Sequence, residues 1–98
     1  MTDTLRQAAA FPGGPAAAAC LLEPLLAGAA GAGAEPVSLT LDYGRVVAAG
    51  DPVVAEAWID RATRTLVFAH ARLITQNGDL VASGSAVFRR QAPAPVAA

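Results

Sequence analysis

The sequence predicts an α+β domain in which one helix packs against an antiparallel sheet of about four strands. Three observations carry that prediction. The Ala/Leu-rich stretch from Ala16 to Ala32 has strong helix formers and apolar residues spaced for one helical face. After Pro36 the apolar period changes to alternation, the signature of a half-buried strand. Asn77-Gly78 then separates two alternating runs, a strong two-residue hairpin signal in which both positions take positive φ.

Residues 1–12 read as a short helical turn or a loose N-terminal arm. Gly13-Gly14-Pro15 punctuates the chain, and a proline suits the first helical turn because its missing N–H is not needed there. Leu21, Leu22, Leu25 and Leu26 form the apolar band of the helix that follows. Pro24 removes a backbone donor, so it either kinks that helix or divides it. Gly28, Gly31 and Gly33 weaken and then end it.

Val37, Leu39, Leu41 and Tyr43 alternate with Ser38, Thr40, Asp42 and Gly44 in the first expected strand. The turn Ala49-Gly50-Asp51-Pro52 leads to a second, Val53 to Asp60, with Ala55, Ala57 and Ile59 opposite Glu56, Trp58 and Asp60. A third, Arg64 to Gln76, is apolar enough on both faces that alternation leaves open which face meets the helix. The last, Leu80 to Arg90, puts Leu80, Ala82, Gly84, Ala86 and Phe88 on one face and Ser83 and Ser85 on the other. A meander is the simplest arrangement, with the last strand an edge unless a second chain covers it. Residues 91–98, with Pro93 and Pro95, are expected to be a flexible tail.

The chain has 98 residues, which suits a single domain spanning 1–98 with a thin core. Apolar residues make up 54% and charged residues 15%, so part of the surface is expected to meet another subunit. All seven basic side chains are arginines, net charge is -1, and no long basic patch forms along the sequence, which argues against nucleic acid. Cys20 has no partner for an intrachain disulfide and reads as a buried structural thiol. No second His or Cys supports His70 in a metal site, and no cofactor is expected. His70 itself reads as structural or interfacial, and Trp58 as an outer-face or interface aromatic. The glycines of the helical region lack the lysine and preceding strand of a phosphate loop. The Ala-rich stretch is interrupted by Pro12, Gly13, Gly14, Pro15, Glu23 and Pro24, so no membrane-spanning or signal segment is expected and the location is expected to be cytoplasmic.

Several segments carry a family likeness. Leu41-Asp42-Tyr43-Gly44-Arg45-Val46-Val47 runs into the glycine–acid turn Gly50-Asp51, and Val53 to Ala57 forms the strand after it. Arg72 to Phe88 contains the closing hairpin, and Gly13-Gly14 opens an Ala/Leu helix. In order and spacing these segments resemble the hotdog-fold thioesterases, of the type related to phenylacetate-degradation thioesterases, over most of the chain. The resemblance implies a hotdog fold, a curved antiparallel sheet around one central helix, assembled as a homodimer or a tetramer with sites at the subunit boundary. It implies an acyl-CoA ligand. It also implies an N-terminally shortened member, since only 12 residues precede Gly13. Phe11-Pro12 stands where family members often carry an Asn or His, and Glu23 lies further along the helix than the usual carboxylate.

Thioester hydrolysis needs a carboxylate to activate water or attack the carbonyl, and donors where the carbonyl oxygen gains charge. Glu23, the one acid in the apolar helix, is the candidate base or nucleophile, with Asp42 a second catalytic candidate from the resemblance. Gly13 and Gly14 are candidate ligand-binding residues through their backbone N–H groups at the helix N-terminus. Tyr43 and Arg45 complete the ligand-binding set, Arg45 by contact with the phosphates of coenzyme A. Three functions remain open at this point. The first is a non-catalytic or acyl-ligand-binding dimeric module, and the second an acyl-CoA thioesterase using Glu23. The third is an unrelated helix-plus-sheet protein.

Overall fold

The apolar band of the helical region becomes one helix, α1, spanning Ala17–Ala30. The structure is a computed structural model and describes residues 4–90, so the expected tail 91–98 lies outside the described residues. Ala18, Leu22 and Leu26 recur at intervals of four and are buried, while Leu21, Leu25 and Ala29 pack at the margin. Pro24 neither divides nor ends the helix. Pro24 and Cys20 are both exposed, so the Cys20 carbonyl deprived of its partner lies on the solvent side and water can satisfy it. That placement also corrects the expectation for Cys20, which is an exposed free thiol.

Five strands form one antiparallel sheet: β1 Leu5–Ala10, β2 Glu35–Tyr43, β3 Pro52–Ala62, β4 Leu66–Thr75 and β5 Leu80–Arg89. Their spatial order is β1-β3-β4-β5-β2. The arm expected at the N-terminus is thus a strand, which raises the expected four strands to five. Leu5–Ala10 has too many alanines to show alternation. It is extended because it pairs with β3, Gln7 opposite Ala55 and Ala9 opposite Val53. Nor is the sheet a simple meander. β3, β4 and β5 follow one another, but β2 lies beside β5, so β5 is internal and the edges are β1 and β2.

The helix settles which face of β4 is inward. Val67, Ala69, Ala71 and Leu73 are buried with Val53, Ala55 and Ala57 of β3 and Ala82, Ala86 and Phe88 of β5. Six alanines in that layer keep the inner face shallow, and α1 settles into it. Gly84 extends the same device: a Cβ there would stand 3.7 Å from Leu26 Cδ1 and 3.1 Å from Leu41 Cδ2.

The β4–β5 connection is longer than a two-residue turn. Only Gly78 takes positive φ, at 87°. Gly78 N–H donates to the Thr75 carbonyl, and Asp79 N–H donates to Thr75 Oγ1 at 3.1 Å, so the threonine side chain does part of the closing. A register shift follows, with Leu80 opposite Ile74 but Ala82 opposite Leu73. Val81 and Ala82 are therefore both buried, and Leu80 leaves the inner face assigned to it by alternation.

Candidate functional site

Glu23 and Leu26 lie one turn apart on α1, so the carboxylate borders the helix's buried band and still reaches solvent. Beside it runs an apolar groove between α1 and the β2 edge. Leu26 and Ala27 form one wall, Pro36 and Leu39 the other, and Ala86 and Phe88 the floor. Its volume is 90 Å³. Glu23 is the one charged side chain that lines it.

A second cavity, of 270 Å³, lies at the N-terminal end of α1. Gly14, Pro15 and Ala18 line it from the helix side, and Tyr43, Arg45 and Val47 from the segment after β2. Gly14 has φ 89°, and nothing stands within 4 Å of where a Cβ would be, so the backbone here is open to an incoming group. Gly13 is tighter: its φ is 81°, and a Cβ would come within 2.7 Å of the Ala49 Cβ. Two hydrogen bonds fasten this corner, from Phe11 N–H to the Asp51 carbonyl and from Gly50 N–H to the Phe11 carbonyl. Arg45 Nη1 donates to Asp79 Oδ2 at 2.9 Å, and both side chains are well exposed. Arg45, Asp51, Thr75, Asn77 and Asp79 line a more polar neighbouring cavity that shares Arg45, Val46 and Val47 with the second.

The residues singled out in the sequence therefore separate into groups. Gly14, Tyr43 and Arg45 surround one cavity, and Gly13 supports its rim. Glu23 lines the other hollow, about 9 Å along α1 from its first residue, Ala17, at roughly 1.5 Å per residue. Asp42 pairs with Ser83 on the outer face of the sheet, away from α1. Leu39 and Phe88 were not singled out. Alternation places them on one face of a strand, but only the β2–β5 pairing brings them to Glu23.

The outer face carries polar contacts that sequence reasoning did not foresee. Glu56 is buried and accepts from Arg6 Nη1 at 2.9 Å and Arg72 Nε at 2.6 Å. His70 stacks on Trp58 with ring centroids 6.2 Å apart, confirming Trp58 as an outer-face aromatic. The His70 Nδ1 lies 3.2 Å from Ser85 Oγ, and Nε2 lies 3.6 Å from Asp60 Oδ2. Among the described residues, no helix is long and apolar enough to cross a membrane.

Residues 3–89 match the family model of the acyl-CoA thioesterase N-terminal domain. The structure is similar to a mutant of the phenylacetic acid degradation protein PaaI from Thermus thermophilus, with TM-score 0.78 and 20% identity over 90% of this chain and 85% of that one. It is also similar to an X-ray structure of a protein from the thioesterase superfamily, with TM-score 0.53 and 31% identity over 59% of this chain and 43% of that one. No curated protein matches the sequence. The PaaI likeness, together with the antiparallel sheet around one helix, shows the hotdog fold.

Proposed function

The chain belongs to the acyl-CoA thioesterase N-terminal domain family, and from that premise we propose that it binds acyl thioesters as a homodimeric module. The observation that carries this reading is the apolar groove with Glu23 at its rim. The groove's 90 Å³ is well short of the roughly 300–1,000 Å³ of a self-sufficient ligand site. Its outer wall is the edge strand β2, where Val37 is 50%, Leu39 38% and Tyr43 66% exposed. A second copy set against that edge buries these side chains and walls the groove in. A further pairing of dimers into a tetramer is compatible with the same site. Cys20, an unpaired exposed thiol, suits a reducing cytoplasm.

A second reading, hydrolysis, is favoured by the position of Glu23 beside the acyl groove. Its carboxylate takes a proton from water as the water oxygen adds to the thioester carbonyl. The tetrahedral intermediate then expels the thiolate, which receives that proton from Glu23, leaving a free acid and a free thiol. Attack by the carboxylate itself, through an anhydride, is the other form of this chemistry. Gly14 precedes α1 and lies away from the groove, so it does not serve that oxyanion, for which Ser38 on the groove wall is a nearer donor. Asp42, on the outer face, has no part in this step, and the Gly14–Tyr43–Arg45 cavity is available to a ligand.

Calorimetric titration with a panel of acyl-CoA thioesters, run beside a free-thiol release assay, tests both readings. Binding without turnover supports the module. Turnover that falls about a hundredfold or more in Glu23→Gln, with affinity kept, supports hydrolysis. Absence of binding across the panel would overturn both.

A further inference from the structure

We propose that Asp60, His70 and Ser85 form a second reactive site on the outer face of the sheet, where Ser85 takes the acyl group of a small, activated carboxylic ester. The site stands apart from the groove beside Glu23 and does not depend on how that groove is read. The three residues come from neighbouring strands, β3, β4 and β5. His70 is directly opposite Ser85 in the β4–β5 ladder, and its Nδ1 lies 3.2 Å from Ser85 Oγ. Its Nε2 lies 3.6 Å from Asp60 Oδ2. With the proton on Nε2, His70 accepts the Ser85 hydroxyl at Nδ1 and turns its N–H toward the carboxylate. A nucleophile bonded to a base, with an acid behind the base, is the arrangement of acyl-transfer sites. It is recognised by geometry and not by chain order.

Two features of the sheet hold this arrangement. In the β3–β4 ladder Ile59 is opposite Ala69, but Arg61 is opposite Phe68, so Asp60 is the extra residue of a bulge. Unbroken register would set Asp60 opposite Phe68. The bulge re-aims it, and its carboxylate reaches His70 instead. Trp58, opposite His70 from the β3 side, stacks on the imidazole with 17° between the ring planes. That stacking fixes the ring, and with it the direction of both nitrogens.

Ser85 is exposed, so an ester reaches it without a channel. Thr40 is opposite Ser85 on β2 and is also exposed. It puts a second hydroxyl on the same face, a donor for the carbonyl oxygen as charge develops there. Phe68 and Val87, opposite each other and two residues along from His70 and Ser85, make a short apolar shelf beside the pair. The face has no walls, which limits the substrate to a short acyl chain with a good leaving group. Ser85 Oγ adds to the ester carbonyl carbon as its proton passes to His70 Nδ1. The imidazolium then faces the Asp60 carboxylate. The tetrahedral intermediate collapses by breaking the bond to the alcohol oxygen, which leaves with the proton from His70. Water adds to the acylated serine in the same way, and the carboxylic acid departs as Ser85 Oγ takes the proton back.

Two probes test the site on the full chain carrying Cys20→Ser, which removes a competing thiol. An alkyl fluorophosphonate, which forms an O–P bond and releases fluoride, reports where the nucleophile is. p-Nitrophenyl acetate reports how fast it reacts. The phosphonyl group is expected on Ser85 by peptide mass spectrometry and is expected to be lost in Ser85→Ala. His70→Ala is expected to react about a hundredfold more slowly with both probes. Added imidazole is expected to restore part of that rate, which a merely structural histidine would not allow. Asp60→Asn, the change at the positioning residue, is expected to lower kcat about tenfold with KM kept. Circular dichroism matched to the parent guards against a folding artefact. No phosphonylation of Ser85 in the parent protein overturns the proposal. So does labelling of Ser85 that runs at the parent rate in His70→Ala.

Discussion

Arg72 Nε donates to Glu56 Oε1 at 2.6 Å, and the two partners differ in their surroundings: the Glu56 side chain is 8% exposed and that of Arg72 is 51% exposed. The pair is therefore asymmetric. Glu56→Ala leaves two arginines that water can solvate and is expected to cost about 1 kcal/mol. Arg6→Ala/Arg72→Ala strands a carboxylate in the sheet and is expected to cost about 2–4 kcal/mol. Urea denaturation of the two variants measures the difference. Equal losses would mean that Glu56 is hydrated in solution.

Gly84 allows α1 to approach the sheet. Gly84→Val sets new methyl groups against Leu41 and Leu26, and is expected to cost about 1–3 kcal/mol by overpacking. Because the same shift moves Leu26, acyl-ligand affinity is expected to fall with it. A thermal melt and a titration on one sample check both.

Leu39 faces the groove from the edge strand and is 38% exposed. On the proposed dimer, Leu39→Lys puts a charge into the joint and is expected to shift the protein to monomer in analytical ultracentrifugation. Ligand binding is expected to weaken in parallel. A stable dimer carrying this change would move the interface away from β2.

Pro24 sits within α1 on its exposed side. Pro24→Ala restores the donor for the Cys20 carbonyl, and is expected to stabilise the fold by about 1–3 kcal/mol. An unchanged or lower melting temperature would mean that the helix depends on the local geometry Pro24 imposes.

Element identity was legible in the sequence because it is a local property. Leucines at helical spacing and alternation from Val37 onward report how neighbouring residues share a face, and nothing further along the chain alters that. Gly13-Gly14 and Gly50-Asp51 marked the corner that encloses one cavity, and the order of these segments carried the family likeness. The tertiary structure decided which strands are neighbours. It turned Leu5–Ala10 into β1, moved β2 beside β5, and so brought Leu39 and Phe88 to Glu23. It also separated Glu23 from Asp42 and set Asp60, His70 and Ser85 side by side. Alternation is imposed by the pleat of a single strand, whereas pairing and register are chosen by closure between distant segments around a shared core.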